Sequence, residues 1–87
     1  MKGTKILDKV RREVLERDSY EGCPCCIYCG KPLPYGAHLH HVKRRSQGGQ
    51  GVAENLVTLC NRCHTNLHNG NEIIKNYCNE YLKEKYK

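Results

Sequence analysis

The 87-residue sequence contains no phenylalanine and no tryptophan, and a single methionine. Leucine, isoleucine and valine together supply only 17 residues, about a fifth of the chain. With so few large apolar side chains, a charged chain of this length buries too little surface to fold on a hydrophobic core alone. Any apolar run of 18 residues is also absent, which excludes a transmembrane helix and predicts no membrane partner. The length predicts a single domain over 1–87 and argues against a large-pocket enzyme or a multidomain regulator. What the sequence does hold is seven cysteines, five histidines and a formal net charge of +6. The missing core asks for a cross-link.

The N-terminal segment MKGTKILDKVRREVLERD is charged throughout and lacks the apolar stretch of a signal peptide, so a cytoplasmic, reducing setting is expected. Disulfide frameworks rarely form there, and an odd number of cysteines points the same way. Cys26-Ile27-Tyr28-Cys29 and Cys60-Asn61-Arg62-Cys63 are two C-x-x-C pairs. Each pair places two thiolates on a tight knuckle, and two knuckles complete a tetrahedral structural Zn²⁺ site. Cys23 and Cys26 share the same spacing. Cys26 and Cys29 are preferred because Gly30, then Lys31 and Pro32, suit a turn that needs a glycine and then exits. Cys23 and Cys25 are left over, and Cys78 reads as a small apolar core residue.

Ile6, Leu7, Val10, Val14 and Leu15 recur at helical spacing and predict an amphipathic helix over 4–18. Residues 21–35, with their glycine, prolines and cysteines, read as a knuckle and loop. Short strands are expected at 37–42 and 55–59, separated by a loop containing Gly48, Gly49 and Gly51. Residues 61–69 suit a short helix ended by Gly70. Ile73, Ile74, Tyr77, Cys78, Tyr81 and Leu82 form the buried stripe of a last helix over 71–86, opened by Asn71.

His40 and His41 end the first strand, and His64 and His68 lie on the helix after the second. His64 and His68, four residues apart, share a helix face and can hold one metal ion. His38 reads as a solvated strand residue. The order His40-His41-Val42-x-x-Arg45-Ser46-x-Gly48-Gly49, then Asn55-Leu56-Val57-x-Leu59-Cys60-x-x-Cys63-His64-x-x-x-His68, resembles the HNH endonucleases. Arg17-Asp18-x-Tyr20 ahead of a C-x-x-C-Gly resembles the upstream segment of the same family, and the likeness runs over about residues 10–70. Two departures stand out. The interval between Tyr20 and the first cysteine is about four residues longer than usual, and Lys43-Arg44 stands where many relatives have an apolar residue and proline.

The resemblance implies a small α+β fold, a ββα-metal finger: a two-stranded antiparallel hairpin and a helix around a divalent cation. Here it is stapled by the four-cysteine zinc site and flanked by N- and C-terminal helices. It also implies that His41 is the general base, that His40 and His64 bind the catalytic divalent cation with His68 as a further ligand, and that Asn55 orients His41 through the loop backbone. The expected activity is DNA cleavage, by nicking or double-strand breakage, with Mg²⁺, Mn²⁺ or a similar ion.

That chemistry suits the residues themselves. A neutral histidine titrating near pH 6.5 can accept a proton from water at neutral pH, and one open-sided cation can neutralise charge on a phosphodiester. Lys43, Arg44 and Arg45 follow the histidine pair directly and place positive charge where DNA phosphates would arrive. No separate reading module is evident, so sequence preference is expected to be modest, with target selection left to a partner protein or a dimer. The alternative is a non-catalytic zinc module that binds nucleic acid or protein, its histidines structural.

Overall fold

A computed structural model describes residues 6–34, 37–44 and 47–86. Helix α1 (Asp8–Arg17) comes first, followed by a small antiparallel hairpin of β1 (Ser19–Tyr20) and β2 (Cys23–Pro24). The second hairpin pairs β3 (His38–His41) with β4 (Leu56–Leu59), and a single 3₁₀ turn at Ala53–Asn55 leads into β4. Helices α2 (Asn61–His68) and α3 (Glu72–Lys85) close the chain. The result is the expected small α+β fold: two antiparallel hairpins, three helices and a cluster of four cysteines able to bind zinc.

Sequence and structure part at 21–24. Read as loop, this segment turns back as a hairpin through Glu21 (φ 52°) and Gly22 (φ 79°). Two successive positive φ values match the twist of a two-residue hairpin turn. The lengthened interval after Tyr20 is thus taken up by regular structure.

Strand β4 explains how so few apolar residues suffice. All four of its residues are buried, because both faces of the strand are covered. Leu56 packs with Val14 and Ala53 on the α1 side, with Val10 and Leu39 around them. Val57 and Leu59 pack on the other side with Ile74, Cys78 and Leu82 of α3. That second cluster also contains Cys26, Cys60 and Cys63, so the core runs directly into the cysteine site. Cys78 is buried there, as its place in the helical stripe predicts. The Asn71 side chain accepts hydrogen bonds from the N–H groups of Ile73 and Ile74 and caps α3. Among the described residues no helix is long and apolar enough to cross a membrane.

Candidate functional site

The cysteine site is assembled from three local devices. Residues 26–30 form a knuckle in which Gly30, at φ 79°, donates its N–H to the Cys26 carbonyl and Cys26 donates to the Lys31 carbonyl. The Ile27 N–H binds the Thr58 carbonyl and docks this knuckle on β4. Cys60 ends that strand as the N-cap of α2, its sulfur accepting the Cys63 N–H at 3.4 Å. The four sulfurs of Cys26, Cys29, Cys60 and Cys63 all lie within 4.8 Å of one another, and the Cys29 and Cys60 sulfurs are 3.7 Å apart. A tetrahedron of thiolates at the Zn–S distance has edges of about 3.8 Å, so the donor set fits zinc.

Electrostatics agree. Burial raises Cys63, as do its hydrogen bonds with the other three thiols; Cys29 is raised by burial and by Cys26 and Cys60. At Cys60 burial pushes the same way but is outweighed by the Cys63 N–H and by the surrounding thiols, which bring it down to about 7. Four thiols this close titrate against each other unless a cation shares them. Cys23 and Cys25 stand outside the group: their sulfurs meet the carbonyls of Pro24 and Cys23. Of the two equal spacings, the one followed by glycine forms the site.

The bracket sets Cys63 beside His64, and the hairpin register does the rest. His38 pairs with Leu59 and His40 with Val57, whereas Leu39 and His41 pair with Thr58 and Leu56. Side chains alternate across a strand, so His38 and His40 share the face turned to α2. There the ring nitrogens of His40, His64 and His68 all come within 4.8 Å of one another, with the Nε2 atoms of His64 and His68 3.2 Å apart. At metal–nitrogen distances near 2.1 Å, adjacent ligand atoms lie about 3.0–3.4 Å apart, so this trio also fits one ion. Burial, then the neighbouring histidines and Arg44, lowers His40 to about 4. Burial, followed by His68 and His38, lowers His64. Lowered values keep the His40 and His64 imidazoles neutral, as ligation requires.

His41 stands one strand position from this trio. It is 8% exposed and lines the same cleft, a space of about 800 Å³ bounded also by Arg44, His64 and His68. Asn55 holds the chain just beyond it. Its Oδ1 accepts the Lys43 N–H at 2.8 Å, its Nδ2 donates to the carbonyls of Lys43 and Gln50, and its own carbonyl accepts the Val42 N–H. Gly49 packs so closely against this bend that a β-carbon would overlap the Lys43 carbonyl. Lys43 is exposed, Arg44 reaches the cleft, and Arg45 lies outside the described residues.

His38, read from sequence as a solvated strand residue, is indeed exposed on β3, and its ring also stacks flat on His64 with centroids 4.9 Å apart and planes 5° from parallel. Its spacing of two from His40 on a strand is the signal that places both on one face.

A family model described as HNH endonuclease matches residues 26–70, just over half of the chain and the whole span from knuckle to α2. The chain belongs to the HNH endonuclease family. Two proteins are similar to this HNH chain in sequence. Anaredoxin of Nostoc sp. strain PCC 7120 is 34% identical over 62 residues, covering 71% of this chain and 75% of its own length. The type IV methyl-directed restriction enzyme EcoKMcrA of Escherichia coli K12 is 37% identical over 60 residues, covering 58% of this chain. The chain spans only 22% of that enzyme. Membership of the HNH family and likeness to a restriction enzyme support a nuclease-type function.

Proposed function

We propose that this chain is a metal-dependent DNA endonuclease in which His41 is the general base and His40, His64 and His68 hold one divalent cation. The observation that carries the reading is the cleft itself, where three histidine nitrogens able to share an ion stand beside a fourth, largely buried histidine. His40, His64 and His68 would hold the ion, which when bound would supply positive charge to the phosphodiester. His41 takes the proton of the attacking water on a ring nitrogen. Asn55 keeps the backbone after His41 in place through its three side-chain hydrogen bonds. Lys43, Arg44 and Arg45 bind the phosphates flanking the cut, and Cys26, Cys29, Cys60 and Cys63 hold a structural Zn²⁺.

The test is relaxation of supercoiled plasmid by zinc-loaded protein in Mg²⁺ or Mn²⁺. Wild type is expected to nick or linearise it, and His41→Ala to lose at least about a hundredfold in rate while keeping its fold and its DNA affinity. A folded, DNA-binding wild type that leaves plasmid intact with every divalent ion would favour a non-catalytic zinc module instead.

A further inference from the structure

Lys75 of α3 stands on the wall between two clefts. One is the histidine cleft; the other, of about 510 Å³, opens beyond Val42, Gln47 and Lys75, which line both. Among the described residues the cations of the second cleft are Lys43, Lys75 and Lys83, against one carboxylate, Glu54. Lys75, Asn79 and Lys83 follow at i, i+4 and i+8, so they form one stripe along α3. At 1.5 Å per residue, Lys75 and Lys83 are about 12 Å apart along the helix. A DNA strand rises ~3.4 Å per phosphate along the duplex axis, so the stripe is long enough to meet more than one phosphate of a strand. Among the described residues no aromatic ring lines it, which suits a sugar-phosphate backbone better than stacked bases. Lys83 touches Glu80 at 3.4 Å with both side chains more than 70% exposed, a pairing weak enough for a phosphate to displace.

We infer that the second cleft is a track for the DNA backbone. The strand whose scissile phosphate lies at the histidines continues past Lys75 into the groove between α3 and the loop held by Asn55. There Lys43, Lys75 and Lys83 meet successive phosphates. This inference rests on the nuclease reading and extends it to residues of α3 that lie outside the matched segment 26–70.

The experiment is the salt dependence of duplex binding by the zinc-loaded full chain, followed by fluorescence anisotropy without added Mg²⁺ or Mn²⁺. Each lost phosphate contact lowers the slope of log K against log[salt] by about 0.9. The Lys75→Gln/Lys83→Gln variant is expected to lose about 1.8 from the slope and to weaken on unrelated duplexes by a similar factor. Lys75→Arg/Lys83→Arg should keep the wild-type slope. Lys9→Gln/Arg12→Gln, which removes the same charge from α1, should barely change it. An unchanged slope in the double glutamine variant, or an equal loss in the α1 control, overturns the track. Plasmid cleavage separates the two readings. A wild type that cuts while the α3 variant keeps its full slope removes the track alone. Lysine-dependent binding without any cutting removes the nuclease and leaves the track.

Discussion

At the scale of single residues, His38 is the least expected participant. Its ring covers one face of His64, while His40 meets His64 edge-on with centroids 5.5 Å apart. His64 is therefore held on two sides, and a ligand held in orientation loses less freedom when it binds an ion. Groups that orient metal ligands without touching the metal commonly alter affinity about 10- to 100-fold. His38→Ala is accordingly expected to weaken Mn²⁺ binding by about tenfold, read by paramagnetic resonance titration of protein whose cysteine site is already filled with zinc. His38→Phe keeps a flat ring at the position and should recover most of the loss. Wild-type affinity in the alanine variant would show that the stacking plays no part.

At the scale of elements, the unit that sets the site is the junction of α1 with β4. Asp18 is buried as α1 ends, and its side chain is fully shielded from solvent. Its carboxylate accepts two hydrogen bonds from Arg17, one from the Tyr81 hydroxyl and one from the Thr58 N–H. Arg17 also donates to the carbonyls of Ala53 and Leu56. One ion pair thus ties α1 to the 3₁₀ turn, to β4 and to α3, and Leu56 is the strand partner of His41. Burial works against the Arg17 charge, but its hydrogen bonds to Asp18 and Tyr86 more than compensate and raise its pKa above the ordinary value. Removing one member of a buried pair leaves the other charge unmatched, at about 3–5 kcal/mol. Asp18→Asn should lower the unfolding free energy by that order in urea titrations. Tyr81→Phe, which removes one of several bonds, should cost about 1 kcal/mol. Equal stability of both variants and wild type would mean that this junction does not hold the elements together. The motif Arg17-Asp18 is visible in sequence, but its partners lie 36–69 residues away, and nothing in the local pattern names them.

At the scale of the whole molecule, the cysteine site and the core are one body, since Cys26, Cys60 and Cys63 pack among Val57, Leu59, Ile74 and Cys78. Metal binding is then part of the folding free energy. One zinc per chain is expected by elemental analysis. Stripping it with a strong chelator should abolish the cooperative thermal transition in circular dichroism, and Cys60→Ala or Cys63→Ala should do the same. His41→Ala, outside that body, should melt like wild type. Equal melting of zinc-free and zinc-loaded protein would refute the staple.

Much of this architecture was legible because local spacing dictates local geometry. Helical periodicity located α3 and most of α1, which begins only at Asp8, after Ile6 and Leu7 of the expected stripe; Asn71 and Gly70 marked helix boundaries, and the C-x-x-C spacing with its following glycine picked out the knuckle cysteines. The scarcity of apolar residues pointed to a staple, and a group of four cysteines able to bind zinc adjoins the core. Long-range registry was decided only in the folded chain. The pairing of His38 with Leu59 puts His38 and His40 on the α2 face, and His41, at the next strand position, borders the same cleft. The packing of α3 brings Lys75 to the rim of the histidine cleft. Neither follows from neighbours along the chain, because both depend on where two distant segments meet. The sequence by itself determined the cysteine spacing and the helical stripes, because both are local; the tertiary structure decided which histidines and lysines face the same space.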